Sequence, residues 1–223
     1  MESVNLSVMR LATLVCLAPL LSPAADVGVS GLLKAVENRY NRAKTIQVLF
    51  RQTYTVQGGR SRTESGELFL RKPGRMRWQY ESPRGKLFLS DGKHVYLYTP
   101  AANRVEKMGL KETEDMRAPL AFLLGKLDFW RDFDRFVSRA DGSDMRIVAE
   151  PKSRQLPYTK VEFVVTPRHE IRYLQVTGQD HSVMEFRFEN ERLNPALPER
   201  LFQFQPPPGA ELVDTAENAQ GAI

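Results

Sequence analysis

Cysteine is nearly absent: the 223 residues hold one, Cys16. A disulfide framework is excluded, and so is a cysteine-rich metal site. Histidine is almost as scarce, with only His94, His169 and His181, each in or beside a turn signal. The nearest approaches to a ligand cluster, His169-Glu170 and Asp180-His181, read as ordinary turn residues. The chain lacks G-x-S-x-G, Walker A, G-x-G-x-x-G and H-E-x-x-H patterns, and nothing nominates a Ser–His–Asp triad. No enzymatic activity, metal or cofactor is expected. Glycine and proline number 14 each, too few for a low-complexity chain. The 32 basic and 27 acidic residues are interspersed, with a formal charge of +5 and no dense Lys/Arg tract. Nucleic acid is therefore not an expected partner.

What is present falls into two regimes. Arg10 precedes an apolar run from Leu11 to Leu21, followed by Ser22-Pro23-Ala24-Ala25. A basic residue, a short apolar stretch and a small-residue exit form a secretory signal peptide. The run is too short for a membrane-spanning helix, which needs about 20 residues. The expected division is a removed signal over 1–24, one domain over 25–213 and a disordered tail over 214–223. Cleavage removes Cys16, so the protein is expected to leave the cytoplasm and fold without a disulfide.

Beyond the signal, Val29 to Lys44 carries Leu32, Leu33, Val36, Tyr40 and Ala43 at near-helical spacing, with Ser30 as a candidate N-cap. From Ile46 the period becomes two. Strands are read from Ile46, Leu68, Met76, Lys86, His94, Arg104, Arg135, Met145, Thr159, Ile171 and Ser182, and the tail after Gly209 is expected to fray. Between them, Pro119 and Gly125 bracket Leu120-Ala121-Phe122-Leu123-Leu124, a short helix apolar nearly all round. About eleven strands at hairpin spacing argue one wide antiparallel sheet that curls, with helices on one face. The fold class is α+β, mainly β.

Phe50, Met76, Trp78, Tyr80, Phe88, Tyr96 and Tyr98 load the early strands with apolar surface. A packed core is one reading; a cavity between curled sheet and helical lid is the other. Lys72 shares a strand face with Leu68 and Leu70, which points a charge toward the apolar side, where it needs partners such as helix-terminal carbonyls.

The stretch Gly66-Glu67-Leu68-Phe69-Leu70-Arg71-Lys72-Pro73-Gly74-Arg75-Met76-Arg77-Trp78-Gln79-Tyr80, then Pro83, resembles the periplasmic outer-membrane lipoprotein carriers of the LolA family. The resemblance continues through Phe50-Arg51-Gln52, Leu89 to Pro100, Ala118 to Leu124, Phe202-Gln203-Phe204 and Pro207-Pro208-Gly209. It implies a strongly curved, incomplete antiparallel β-barrel closed by helices. It also implies a monomeric carrier whose partners are acylated lipoproteins, an inner-membrane ABC transporter that releases them, and an outer-membrane acceptor. The acyl-chain cavity would be lined by Phe50, Leu68, Leu70, Met76, Trp78, Tyr80, Leu120, Phe122, Leu123 and Leu124. Family members commonly carry arginine directly before the proline, where it hydrogen-bonds the lid. Here that position is Lys72, with Arg71 one residue earlier, so these two are the candidate lid latch. A lipid- or lipoprotein-sensing domain of the same fold is the rival reading, and an exported lipid hydrolase the third.

Overall fold

The computed structural model describes residues 25–110 and 127–214. An initial helix α1 (Ala25–Arg42) is followed by β1 (Thr45–Thr55), β2 (Ser61–Arg71), β3 (Arg75–Ser82), β4 (Leu87–Asp91), β5 (His94–Thr99) and β6 (Arg104–Gly109). A one-turn helix α2 (Phe129–Asp132) leads into β7 (Phe133–Asp141), β8 (Asp144–Pro151), β9 (Tyr158–Val165), β10 (Ile171–Gly178) and β11 (Val183–Leu193). A 3-10 turn at Glu199–Phe202 precedes β12 (Glu211–Asp214).

All twelve strands form one sheet in the order β12-β6-β5-β4-β3-β2-β1-β11-β10-β9-β8-β7. The sheet is curved and stays open, with β12 and β7 as its edges. Neighbours are antiparallel except β12, which runs parallel to β6. The long-range join is β1 to β11, where Phe50 faces Phe188 and Gln52 faces Phe186. Register shifts near Val48, at Ser65/Gly66 and along β10 bend the strands, as bulges do.

The structure departs from the sequence reading at three places. Helix α1 begins at Ala25, so Ser30 lies within it rather than capping it. Phe129–Asp132 is helical, capped by the Asp128 side chain, which accepts from the Arg131 amide at 3.0 Å. The frayed tail is corrected for Glu211–Asp214: the Glu211 amide donates to the Asn103 carbonyl at 2.9 Å, and the segment continues as β12.

The apolar face of α1 consists of Val29, Leu33, Val36 and Tyr40, a 4-3-4 spacing that lies along one side of a helix. All four are buried against the concave face of the sheet in the main core. Burying such side chains is worth about 1.5–3 kcal/mol each. A second, small core sits on the convex side, where Phe69 meets Leu197, Leu201 and Phe202.

A concave apolar face closed by the first helix

Three cross-strand rows build the concave face. The first runs Phe188–Phe50–Gly66–Tyr80, the second Val48–Leu68–Trp78–Phe88, and the third Ile46–Leu70–Met76–Ser90. Two-residue periodicity puts Phe50, Leu68, Leu70, Met76, Trp78 and Tyr80 on the same side, and all six are buried in one cluster. Gly66 leaves a gap between Phe50 and Tyr80, and their rings meet across it edge-on at 5.2 Å. Phe50 also meets Trp78 at 4.7 Å, and Trp78 lies 5.8 Å from Phe186. The Trp78 indole N–H points at the Met76 sulfur, 3.3 Å away. Leu120, Phe122, Leu123 and Leu124 lie outside the described residues.

The face is wider than the residues singled out from sequence. Leu174, Phe186, Phe163 and Val161 belong to the same buried cluster, with Phe88, Met184 and Phe188 packed against it. The regular alternation of Met184, Phe186 and Phe188 was the available signal for β11; no local signal shows that β11 lies beside β1. Tyr96 and Tyr98 belong to the convex side. The Tyr96 ring stacks on Phe204 at 4.4 Å, and the Tyr98 hydroxyl lies 3.1 Å from Asn103 Oδ1.

Helix α1 occupies the concavity. Between Tyr40, Ile46, Val48, Leu70, Ile171, Phe188 and Glu191 remains a cavity of about 10 Å³, room for a single water. At the Tyr40 end of the rows, beside Ile46, Val48 and Leu70, an acyl chain has no room while α1 stays in place.

Polar contacts at the helix C-terminus hold it there. Lys72 Nζ donates to the Tyr40 carbonyl at 2.8 Å, one of the last-turn carbonyls that a helix leaves without an internal partner. An ammonium at that end also meets the negative pole of the helix dipole. Burial holds the Lys72 ammonium below its usual pKa. The Tyr40 hydroxyl donates to Glu191 Oε2 at 2.7 Å and accepts from the Ile171 amide at 2.9 Å. Burial first, and the Glu191 charge second, push the Tyr40 phenol well above its usual pKa. Arg39 bridges Glu191 at 2.6 Å and Glu170 at 3.0 Å. Asn41 clamps the backbone of Leu127 from both sides, accepting from its amide at 2.7 Å and donating to its carbonyl at 2.8 Å. The buried Glu37 accepts from the Phe129 amide at 2.9 Å.

Arg71 does not share this role. It is the neighbour of Lys72 on an alternating strand, so it faces the convex side. There it donates to Glu199 and to the Leu197 carbonyl and lies 5.3 Å from the centre of the Phe202 ring. It pins the C-terminal 3-10 turn. The Leu120–Leu124 lid that Arg71 was expected to latch lies outside the described residues.

Residues 41–205 match the family model described as outer membrane lipoprotein carrier protein LolA. The chain belongs to this family. An outer-membrane lipoprotein carrier protein of Nitrosospira multiformis is 27% identical over 187 residues, covering 83% of this chain and 88% of the relative. One of Nitrosomonas europaea is 28% identical over 200 residues, covering 89% and 94%. Among solved structures, a conserved uncharacterized protein of Thermus thermophilus aligns with a TM-score of 0.50 at 11% identity. That alignment covers 84% of this chain and 99% of the other, and it speaks to fold alone. The LolA match begins just before β1 and ends before β12, so it spans the three rows and Lys72.

Proposed function

We propose that this protein is a periplasmic carrier that takes the acyl chains of lipoproteins onto its concave face and delivers them to the outer membrane. The observation that carries the reading is the continuous apolar face of β1–β4 and β9–β11, covered by a helix whose C-terminal end is held by a handful of polar contacts. Membership of the carrier family supports it.

A carrier must release what it binds. Each buried acyl CH₂ is worth about 0.8 kcal/mol, so a rigid, fully complementary cavity would hold several chains too tightly. Here Val29, Leu33, Val36 and Tyr40 of α1 share the core with that face, and Tyr40 fills the space beside Ile46, Val48 and Leu70. Cargo competes with a helix that buries the same surface, which lowers the net gain of binding. Met76 and Met184 supply side chains that repack around chains of differing shape. Binding without turnover is the whole chemistry on this reading. Residues 1–24 act as a signal peptide, Lys72 as the latch on α1, and Leu120–Leu124 as a second cover.

The test uses inner-membrane vesicles carrying a triacylated lipoprotein and the cognate ABC transporter. The mature protein should extract the lipoprotein only with ATP, hold it as a soluble one-to-one complex, and pass it to the outer-membrane acceptor. Lipoprotein left in the membrane under those conditions refutes the carrier reading and favours a sensor.

A further inference from the structure

A groove of about 740 Å³ lies beside the β3–β4 turn, mostly on the convex side, and reaches Tyr80 at the end of the first row. Its walls come from Arg77, Gln79 and Glu81 at the end of β3, Arg84 and Lys86 in the turn, and Gln205 in the C-terminal segment; Leu87, Tyr98 and Pro207 form its apolar floor. We propose that this groove is a docking site for an extended acidic segment of a partner protein, with Arg77 and Arg84 receiving its carboxylates.

The charges of this face point to such a ligand: against the one exposed carboxylate of Glu81 stand Arg77 and Arg84, neither paired with an acid among the described residues. Arg71 and Arg75 share Glu199, and Lys86 is committed to Glu64 at 2.7 Å and to the Tyr80 ring at 4.4 Å. Arg77 reaches only neutral acceptors, Gln79 Oε1 at 3.1 Å and the Leu201 carbonyl at 3.3 Å, and pairs with no carboxylate among the described residues. It is half-buried, and burial holds its guanidinium below the usual pKa. A partly desolvated cation without a counter-charge is unfavourable, and an arriving carboxylate offsets that cost with a charge-assisted bond. Arg84 is exposed and likewise makes no ion pair among the described residues.

The remaining lining selects the form of the acid. The side chains of Gln79 and Gln205 are exposed, and each offers a donor and an acceptor of the kind a peptide backbone needs. The floor takes apolar side chains that alternate with acidic ones along an extended strand. A flat bilayer would touch only the rim of such a groove. Because Arg77 and Gln79 point away from Trp78, a segment docked on them leaves the second and third rows uncovered. The proposal stands apart from the carrier reading and can fail independently of it.

The probe is a fluorescein-labelled octapeptide alternating aspartate and leucine, followed by anisotropy with the mature protein. The control peptide has serine in place of aspartate. Expected results are saturable binding that weakens with salt, at least tenfold weaker binding of the serine peptide, and at least tenfold loss in Arg77→Ser/Arg84→Ser. Arg139→Ser/Arg168→Ser removes the same charge elsewhere and should bind normally. Arg84→Glu, at an exposed position, repeats the test without touching a half-buried side chain and should lose binding equally. Equal loss in the two double variants would reduce the effect to net charge and overturn the proposal. Tight binding of the serine peptide would mean that the leucines are captured by the acyl face. Phosphatidylglycerol vesicles binding through Arg77 and Arg84, with no binding of the aspartate peptide, would replace a protein partner with a membrane.

Discussion

At Gly66 a Cβ would fall 2.1 Å from the Gln79 carbonyl oxygen and 2.8 Å from the Tyr80 Cα. Both atoms are backbone, so β2 and β3 would have to part. The glycine stands in the family-like stretch, yet its reason is visible only in register, where it separates Phe50 from Tyr80. Gly66→Ala should cost about 1–3 kcal/mol, in the range of other overpacking changes. It should also loosen the Phe50–Tyr80 contact; urea unfolding with near-UV circular dichroism reads both. Tyr40 offers a second residue-scale test. Its phenol keeps its proton in the folded chain at pH values where the unfolded chain loses it. The unfolded state then binds fewer protons, and stability falls as pH rises past about 10 toward the raised folded value. Tyr158, pushed up to about 12 mainly by burial, adds to the same decline. Tyr40→Phe leaves Glu191 without its donor and the Ile171 amide without its acceptor, so it should lose about 1–3 kcal/mol at pH 7. Between pH 10 and 12 its stability should decline less steeply than the parent's, as urea midpoints at pH 7, 10 and 11 would show.

At the scale of elements, α1 stands out because its Tyr40 end fills the space beside Ile46, Val48 and Leu70, at one end of the rows that acyl chains would need. Its fastening is concentrated at the C-terminal half, through Arg39, Tyr40 and Asn41 and the Lys72 bond. If α1 must move for loading, tethering it should block loading without unfolding the protein. The chain has no cysteine after Cys16. Arg39→Cys/Glu191→Cys joined by a short bis-maleimide should therefore accept at least tenfold less lipoprotein than the same variant left unbridged. Equal loading with the bridge closed would mean that cargo enters without moving α1. The elements were unevenly legible. Eleven strands declare themselves by alternation, and α1 by its apolar spacing. The strand β12 did not, because four residues after a Pro-Pro-Pro-Gly run carry too short a pattern, and its partner β6 lies about a hundred residues away. Strand alternation put Lys72 on the apolar side and Arg71 on the other. That the Lys72 partner is the Tyr40 carbonyl depends on where the helix lies, which no local pattern records.

For the whole molecule, the decisive contact is β1 against β11, which joins the two halves of the chain into one open curved sheet. It places Phe186 and Phe188 beside Phe50 and Trp78, so the concave face is a product of both halves. The early-strand part of that face was readable from period-two spacing, and the later part was not, since strand order is a non-local property. On the proposed function, acyl chains enter this face beneath α1. The chain has two tryptophans: Trp78 is buried in the second row, and Trp130 is exposed on α2. In Trp130→Phe, Trp78 becomes the sole indole reporter. Loading a lipoprotein whose acyl chains carry bromine should quench its fluorescence strongly relative to the unbrominated cargo. A stable soluble complex with the brominated lipoprotein and no quenching of Trp78 would mean that the acyl chains lie elsewhere.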